Sequence, residues 1–220
     1  MPLQTFKLLS IAALFSSSVL LSSAVSAHSE GDLFARAGLG TVLPNESSNT
    51  PNAGVGELSL DNVTNLAGTV TYMMSDSLGI EVLLGLPFTH EVSASVTGVN
   101  GGAVSGVADV SHLPLSVTAQ HYFAGADSDI RPYVGAGFNY TTFLDEEGKG
   151  ALNNKTVSVD NSFGFAIQAG VDYKVNEQLF LNVSAWYLDI ESTVESSGVT
   201  EDIDVVIDPL AILFAVGYTF

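Results

Sequence analysis

Hydrophobic and polar positions alternate with a period of two along most of this chain. In the segment 163–173 the odd positions are Phe163, Phe165, Ile167, Ala169, Val171 and Tyr173, and the even ones are Gly164, Ala166, Gln168, Gly170 and Asp172. Successive side chains of a strand point to opposite faces, so one face here is apolar and the other small or polar. The C-terminal segment repeats the pattern, with Leu210, Ile212, Phe214, Val216, Tyr218 and Phe220 on one face and Ala211, Leu213, Ala215, Gly217 and Thr219 on the other. Aromatic residues close the greasy face at its ends, as they do at a membrane interface. Eight such segments are predicted, at 33–43, 63–74, 78–92, 107–124, 130–143, 160–173, 179–191 and 202–220. The connections between them alternate between long and short, beginning with 44–62 and 75–77. That alternation is the signature of an up-and-down transmembrane barrel, whose outer loops are long and whose periplasmic turns are short. The predicted fold is all-β, an eight-stranded antiparallel transmembrane barrel with both termini in the periplasm.

The first 27 residues do not share the period. Lys7 precedes an apolar, serine-rich stretch from Leu8 to Val25, and Val25-Ser26-Ala27 has small residues where a signal peptidase reads. This predicts a cleaved export signal over 1–27 and a barrel domain over 28–220. Beyond it no apolar run approaches the roughly 18 residues of a spanning helix. A membrane span must therefore be β, and hydrocarbon tolerates β only as a closed barrel. The chain has no cysteine, six basic residues against 24 acidic ones, a net charge of −18 and a mean hydropathy of +0.34. Such acidity excludes nucleic acid as a partner. The positive hydropathy excludes disorder and suits a membrane protein whose charges lie in loops, such as the run Asp145-Glu146-Glu147.

Parity then sorts the interior. Arg36, Glu81, Arg131 and Asp172 fall on inward faces, where buried charges need partners, so cross-barrel ion pairs are expected in the periplasmic half. Leu83, Trp186, Leu188 and Leu213 also fall inward, and with them Pro87 in the third segment, whose outward face reads Ile80, Val82, Leu84, Leu86 and Phe88. Eight strands enclose room for side chains or one small ligand, not an aqueous pore. Candidates for chemistry are weak. Ser111 and His112 point to opposite faces of one strand and cannot act as nucleophile and base, and His90 with Glu91 meets the same objection. His28, Glu30 and Asp32 alternate but read as a frayed terminus rather than a metal site. No enzyme activity, metal or cofactor is expected.

Several motifs together resemble the outer-membrane protein W family: Gly79-Ile80-Glu81-Val82-Leu83-Leu84, Pro87-Phe88-Thr89-His90, His112-Leu113-Pro114, the run from Arg131 to Phe143, Trp186-Tyr187-Leu188-Asp189-Ile190, and Gly217-Tyr218-Thr219-Phe220. The resemblance covers 32–220. It implies an eight-stranded barrel with an apolar interior that takes up small hydrophobic solutes. It also implies a constriction at Leu83 and Trp186 and a lateral opening at the position of Pro87. Tyr218 and Phe220 resemble the terminal signal read by the barrel-assembly machinery. The expected surroundings are outer-membrane lipid and lipopolysaccharide. A sealed barrel whose acidic outer loops bind a partner is the alternative function. Inward Leu83, Trp186, Leu188 and Leu213 favour transport.

Overall fold

The computed structural model describes residues 28–48, 58–95, 103–149, 157–196 and 202–220. The export signal expected over 1–27 lies outside them. Fourteen strands run in chain order among the described residues: β1 (Leu33–Leu43), β2 (Ser47–Ser48), β3 (Leu58–Leu60), β4 (Val63–Ser75), β5 (Leu78–Gly85), β6 (Phe88–Ser95), β7 (Ala103–Tyr122), β8 (Ile130–Gly148), β9 (Val157–Val159), β10 (Ser162–Lys174), β11 (Leu179–Leu188), β12 (Glu191–Ser196), β13 (Ile203–Val206) and β14 (Leu210–Thr219).

Eight of these close a barrel, in the circuit β1-β4-β5-β7-β8-β10-β11-β14 and back to β1, with every pairing antiparallel. Closure leaves no unpaired edge in hydrocarbon, which is what permits a sheet to cross a membrane. The outward face is greasy, with Phe163 71% and Phe138 62% exposed. Their rings stack at 5.7 Å. At the opposite end the outward aromatics are Tyr72, Phe123, Tyr173, Tyr218 and Phe220. Phe163 and Tyr173 are ten residues apart on β10. At about 3.3 Å per residue and a tilt of roughly 40° they stand about 25 Å apart along the membrane normal, the height of a barrel's apolar band. Inside, close packing calls for glycine where aromatics cross the lumen, since a Cβ on Gly217 would overlap the Phe180 ring.

Beyond the band, at the end carrying the long connections, the wall changes. Three segments expected to be continuous are broken, at Leu86–Pro87, at Asp189–Ile190 and between Val206 and Leu210. The upper pieces β12 and β13 join β2 and β9 in a separate four-stranded sheet, while β3 and β6 extend the barrel sheet. Asp208, with φ of 35°, holds two breaks together by accepting Ile190 N–H at 3.1 Å and Tyr187 O–H at 2.8 Å. The run 145–147, expected in a loop, belongs to the backbone of β8.

The break at Pro87 corrects the parity of the third segment. The β5–β7 ladder ends at Leu83↔Ser116, and the β6–β7 ladder begins at Phe88↔His112. Four residues, Leu84 to Pro87, therefore face three, Leu113 to Leu115, which is a bulge with one extra residue. Pro87 is exposed and Phe88 buried, the reverse of the simple alternation. The reason is chemical. Pro87 and Pro114 carry no backbone N–H, so neither can donate to a ladder here.

Candidate functional site: an apolar chamber above a polar floor

The lumen is divided by chemistry along its axis. In the half nearest the short turns, Arg36 is fully buried and organises a network. Its guanidinium grips Asp172 with two bonds, Nε to Oδ1 at 3.2 Å and Nη2 to Oδ2 at 2.6 Å. Nη1 bonds Glu81 Oε2 and donates to Thr71 Oγ1 at 3.1 Å, and Nη2 donates to Tyr122 Oη at 2.8 Å. Glu81 accepts further bonds from Thr71 at 2.9 Å, Gln120 at 2.8 Å and Gln168 at 3.1 Å, and Asp172 accepts one from Asn182 at 2.7 Å. Both carboxylates are thus matched by donors from β1, β4, β7, β10 and β11, which locks the strands together across the lumen. Arg131 sits opposite Asp172 in the β8–β10 register and places its guanidinium 4.6 Å from the Tyr122 ring centroid. It also donates to the carbonyls of His28 at 2.8 Å, Asp76 at 2.5 Å and Ala124 at 3.2 Å.

Those carbonyl bonds hold a stopper. His28 is not frayed but buried, 4.1 Å from the Phe34 ring, 4.6 Å from Phe180 and 3.3 Å from Asp172 Oδ2. Phe34, Met73, Tyr122, Tyr133 and Phe180 form one apolar cluster around it. Burial pushes the imidazole pKa below its usual 6.5, with Asp172 opposing part of the shift. A histidine depressed in the fold contributes stability that is complete above 6.5 and is lost as pH falls towards the folded value, because only the released segment takes up the proton readily. Acidification below pH 6.5 is therefore expected to loosen the N-terminal stopper. Proteolysis at Glu30–Asp32 should rise in the wild type and stay flat in a His28→Phe variant. A pH-independent cleavage rate in the wild type would contradict this.

Above the network the lumen turns apolar. Leu83, Trp186 and Leu213 stand over the floor, and Leu188 lies one inward step above Trp186. Trp186 is 1% exposed and donates its indole N–H to Ser184 at 3.3 Å. All four, spaced far apart in sequence, line a single small cavity, about 30 Å³ in the resting barrel, together with Phe88, His112, Pro114 and Ala211. The cavity reaches the wall at Leu84 and Gly85, beside the bulge, so the four apolar residues and the neighbourhood of Pro87 come together. The outward rim of the bulge is Leu84, Leu86 and Leu115, all half exposed. Higher still, Val92, Ala108, Val110, Phe143 and Ile190 continue the same apolar cluster towards the long-loop end.

Sequence reasoning missed Phe88, Pro114 and the histidine pair. His90 and His112 meet inside with Nε2 atoms 3.0 Å apart and rings stacked at 5.0 Å. Ser111 turns instead to Thr89, at 2.7 Å, so no nucleophile–base pair forms. The available signal was the proline itself. A proline inside an alternating run marks a bulge, and a bulge reverses parity for the rest of that strand.

A closed β-barrel with a greasy outward band and an apolar chamber above a polar, ion-paired floor defines an integral outer-membrane protein. The chain belongs to the OmpW family, whose pattern matches residues 29–220. It is 41% identical over 206 residues to outer membrane protein W of Vibrio cholerae, covering 91% of this chain and 94% of that one. Its fold is that of the outer membrane protein OprG from Pseudomonas aeruginosa, with a TM-score of 0.79 and 32% identity over 89% of this chain and 99% of that one. A more distant relative, 26% identical over 153 residues and 68% of each chain, is the dibenzothiophene metabolism operon protein PahQ of Pseudomonas aeruginosa.

Proposed function

We propose that the barrel takes up small apolar molecules across the outer leaflet of the outer membrane. The solute enters the chamber from the long-loop end, rests above Leu83, Trp186 and Leu213, and leaves sideways at the bulge near Pro87 rather than through the floor. The observation that carries this reading is the position of the cavity, which has a carbon lining, a bonded polar floor beneath it and a break in the strand ladder at its side. A solute that cannot pass the Arg36 network without stripping charges of their partners has the apolar rim of Leu84, Leu86 and Leu115 as the easier exit. A relative named for dibenzothiophene metabolism, an apolar aromatic context, supports the same solute class.

In this reading both termini are periplasmic. Tyr218, outward on β14, and Phe220, exposed just past its end, are then presented to the assembly machinery at the membrane's inner edge. The test is uptake of naphthalene by cells with and without the gene, at matched outer-membrane integrity. Faster uptake with the gene is expected. Equal rates would favour a sealed barrel whose acidic outer loops bind a partner.

A further inference from the structure

Among the described residues that line the chamber, His112 is the one ionisable side chain, and its protonation follows from its neighbours. His90 Nδ1 lies 2.6 Å from the backbone carbonyl of Asp61, and a carbonyl only accepts, so Nδ1 carries the hydrogen. Charging either ring in this apolar wall is costly, so both are taken neutral. His90 Nε2 is then a bare lone pair, and the 3.0 Å contact is a bond donated by His112 Nε2–H. The proton on Nε2 leaves His112 Nδ1 as a second lone pair. That atom is buried, has no hydrogen-bond partner and belongs to a residue that is 6% exposed and bounds the cavity. An acceptor so placed gains most from a donor supplied by whatever enters.

We infer that His112 Nδ1 is a specificity-determining acceptor, and that the chamber selects apolar molecules carrying one neutral O–H or N–H donor. The relay Asp61 carbonyl, His90, His112 sets the tautomer, so the site accepts and cannot donate. It therefore discriminates against ethers and unsubstituted hydrocarbons of equal size, and gives a carboxylate no partner. Nδ1 is covered in the resting barrel. Phe88 stacks on the His112 ring at 5.8 Å and stands directly beyond the Pro87 break, where the ladder is interrupted. Reaching the acceptor requires Phe88 or Phe143, which both pack against the His112 ring, to shift as the solute arrives. The inference rests on the chamber being the solute site.

Decan-1-ol and 1-methoxynonane are isomers, differ in the donor, and do not absorb where tryptophan does. Trp186 is the chain's single tryptophan and lines the chamber, so its fluorescence in nanodiscs reports occupancy. At equal mole fraction in the lipid, the wild type is expected to prefer the alcohol by about tenfold, and His112→Phe to bind both isomers within about twofold of each other. Equal affinity in the wild type, or a preference that survives in His112→Phe, overturns the assignment. Should that variant fail to fold, the wild type labelled with 15N-histidine decides. The His112 Nδ1 resonance should move with the alcohol and not with the ether, and an unmoved resonance rejects the acceptor role. If neither isomer perturbs Trp186, the chamber is not the solute site, and the reading beneath falls with it.

Discussion

Replacing Arg36 by Met is expected to destabilise the barrel by about 3–5 kcal/mol, the usual cost of removing one partner from a buried charge cluster. The two side chains are similar in volume, so the loss is chiefly electrostatic rather than a packing defect. Arg36 supplies Asp172 with two bonds and Glu81 with one, and nothing else at the centre of the floor brings a full positive charge to both. Without it, two carboxylates remain inside the lumen with only amide and hydroxyl donors, from Thr71, Gln120, Gln168 and Asn182. Such donors stabilise a carboxylate less than a guanidinium fork does. The triple variant Arg36→Met, Glu81→Gln, Asp172→Asn removes all three charges and should recover most of the loss, since a neutral network is not penalised by burial in the same way. Urea unfolding in detergent micelles, followed by the mobility difference between folded and heated protein, measures both. A single Arg36→Met variant as stable as wild type would mean that water enters the floor and screens it.

The barrel was legible because one physical rule governs most of it. A strand in a membrane wall has lipid on one face and packed lumen on the other, so alternation in sequence is alternation in space. Arg36, Glu81, Arg131, Asp172, Leu83, Trp186, Leu188 and Leu213 all turn inward as parity requires. What parity could not supply was the rest of the third segment beyond Pro87. A bulge of one residue leaves local composition unchanged and inverts each later position, so Phe88 and His90 moved from the lipid side to the lumen. The cavity was illegible for another reason. Its lining comes from β1, β4, β5, β6, β7, β11 and β14, and the height at which each strand meets the others depends on register. His28 shows the converse limit. A residue expected at the start of the mature chain and followed by Glu30, Gly31 and Asp32 looks solvated, and only the rings of Phe34, Phe180 and Tyr122 explain why it is not.

Trp186→Arg is expected to reduce uptake of apolar solutes to the level of vesicles without protein, while leaving heat-modifiable folding intact. Trp186 stands over the polar floor with Leu83 and Leu213, at the base of a cavity whose other lining side chains are apolar except His112. A small solute burying roughly 150 Å² of apolar surface there gains about 4 kcal/mol before ordering costs. A guanidinium in place of the indole brings water with it and removes that gain at the proposed resting place of the solute. The fold should tolerate the change because the position adjoins polar groups. Trp186 pairs in register with Gln168, which already donates to Glu81, so an arginine here can turn down towards the floor. Trp186→Phe, which keeps an apolar ring, should retain most of the uptake and serves as the control for size. Uptake is read as the rate of naphthalene transfer into lipid vesicles enclosing a sequestering agent, with equal amounts of folded barrel. If the folded Trp186→Arg barrel transfers naphthalene at the wild-type rate, the lumen is not the route, and the acidic outer loops become the place to look for function.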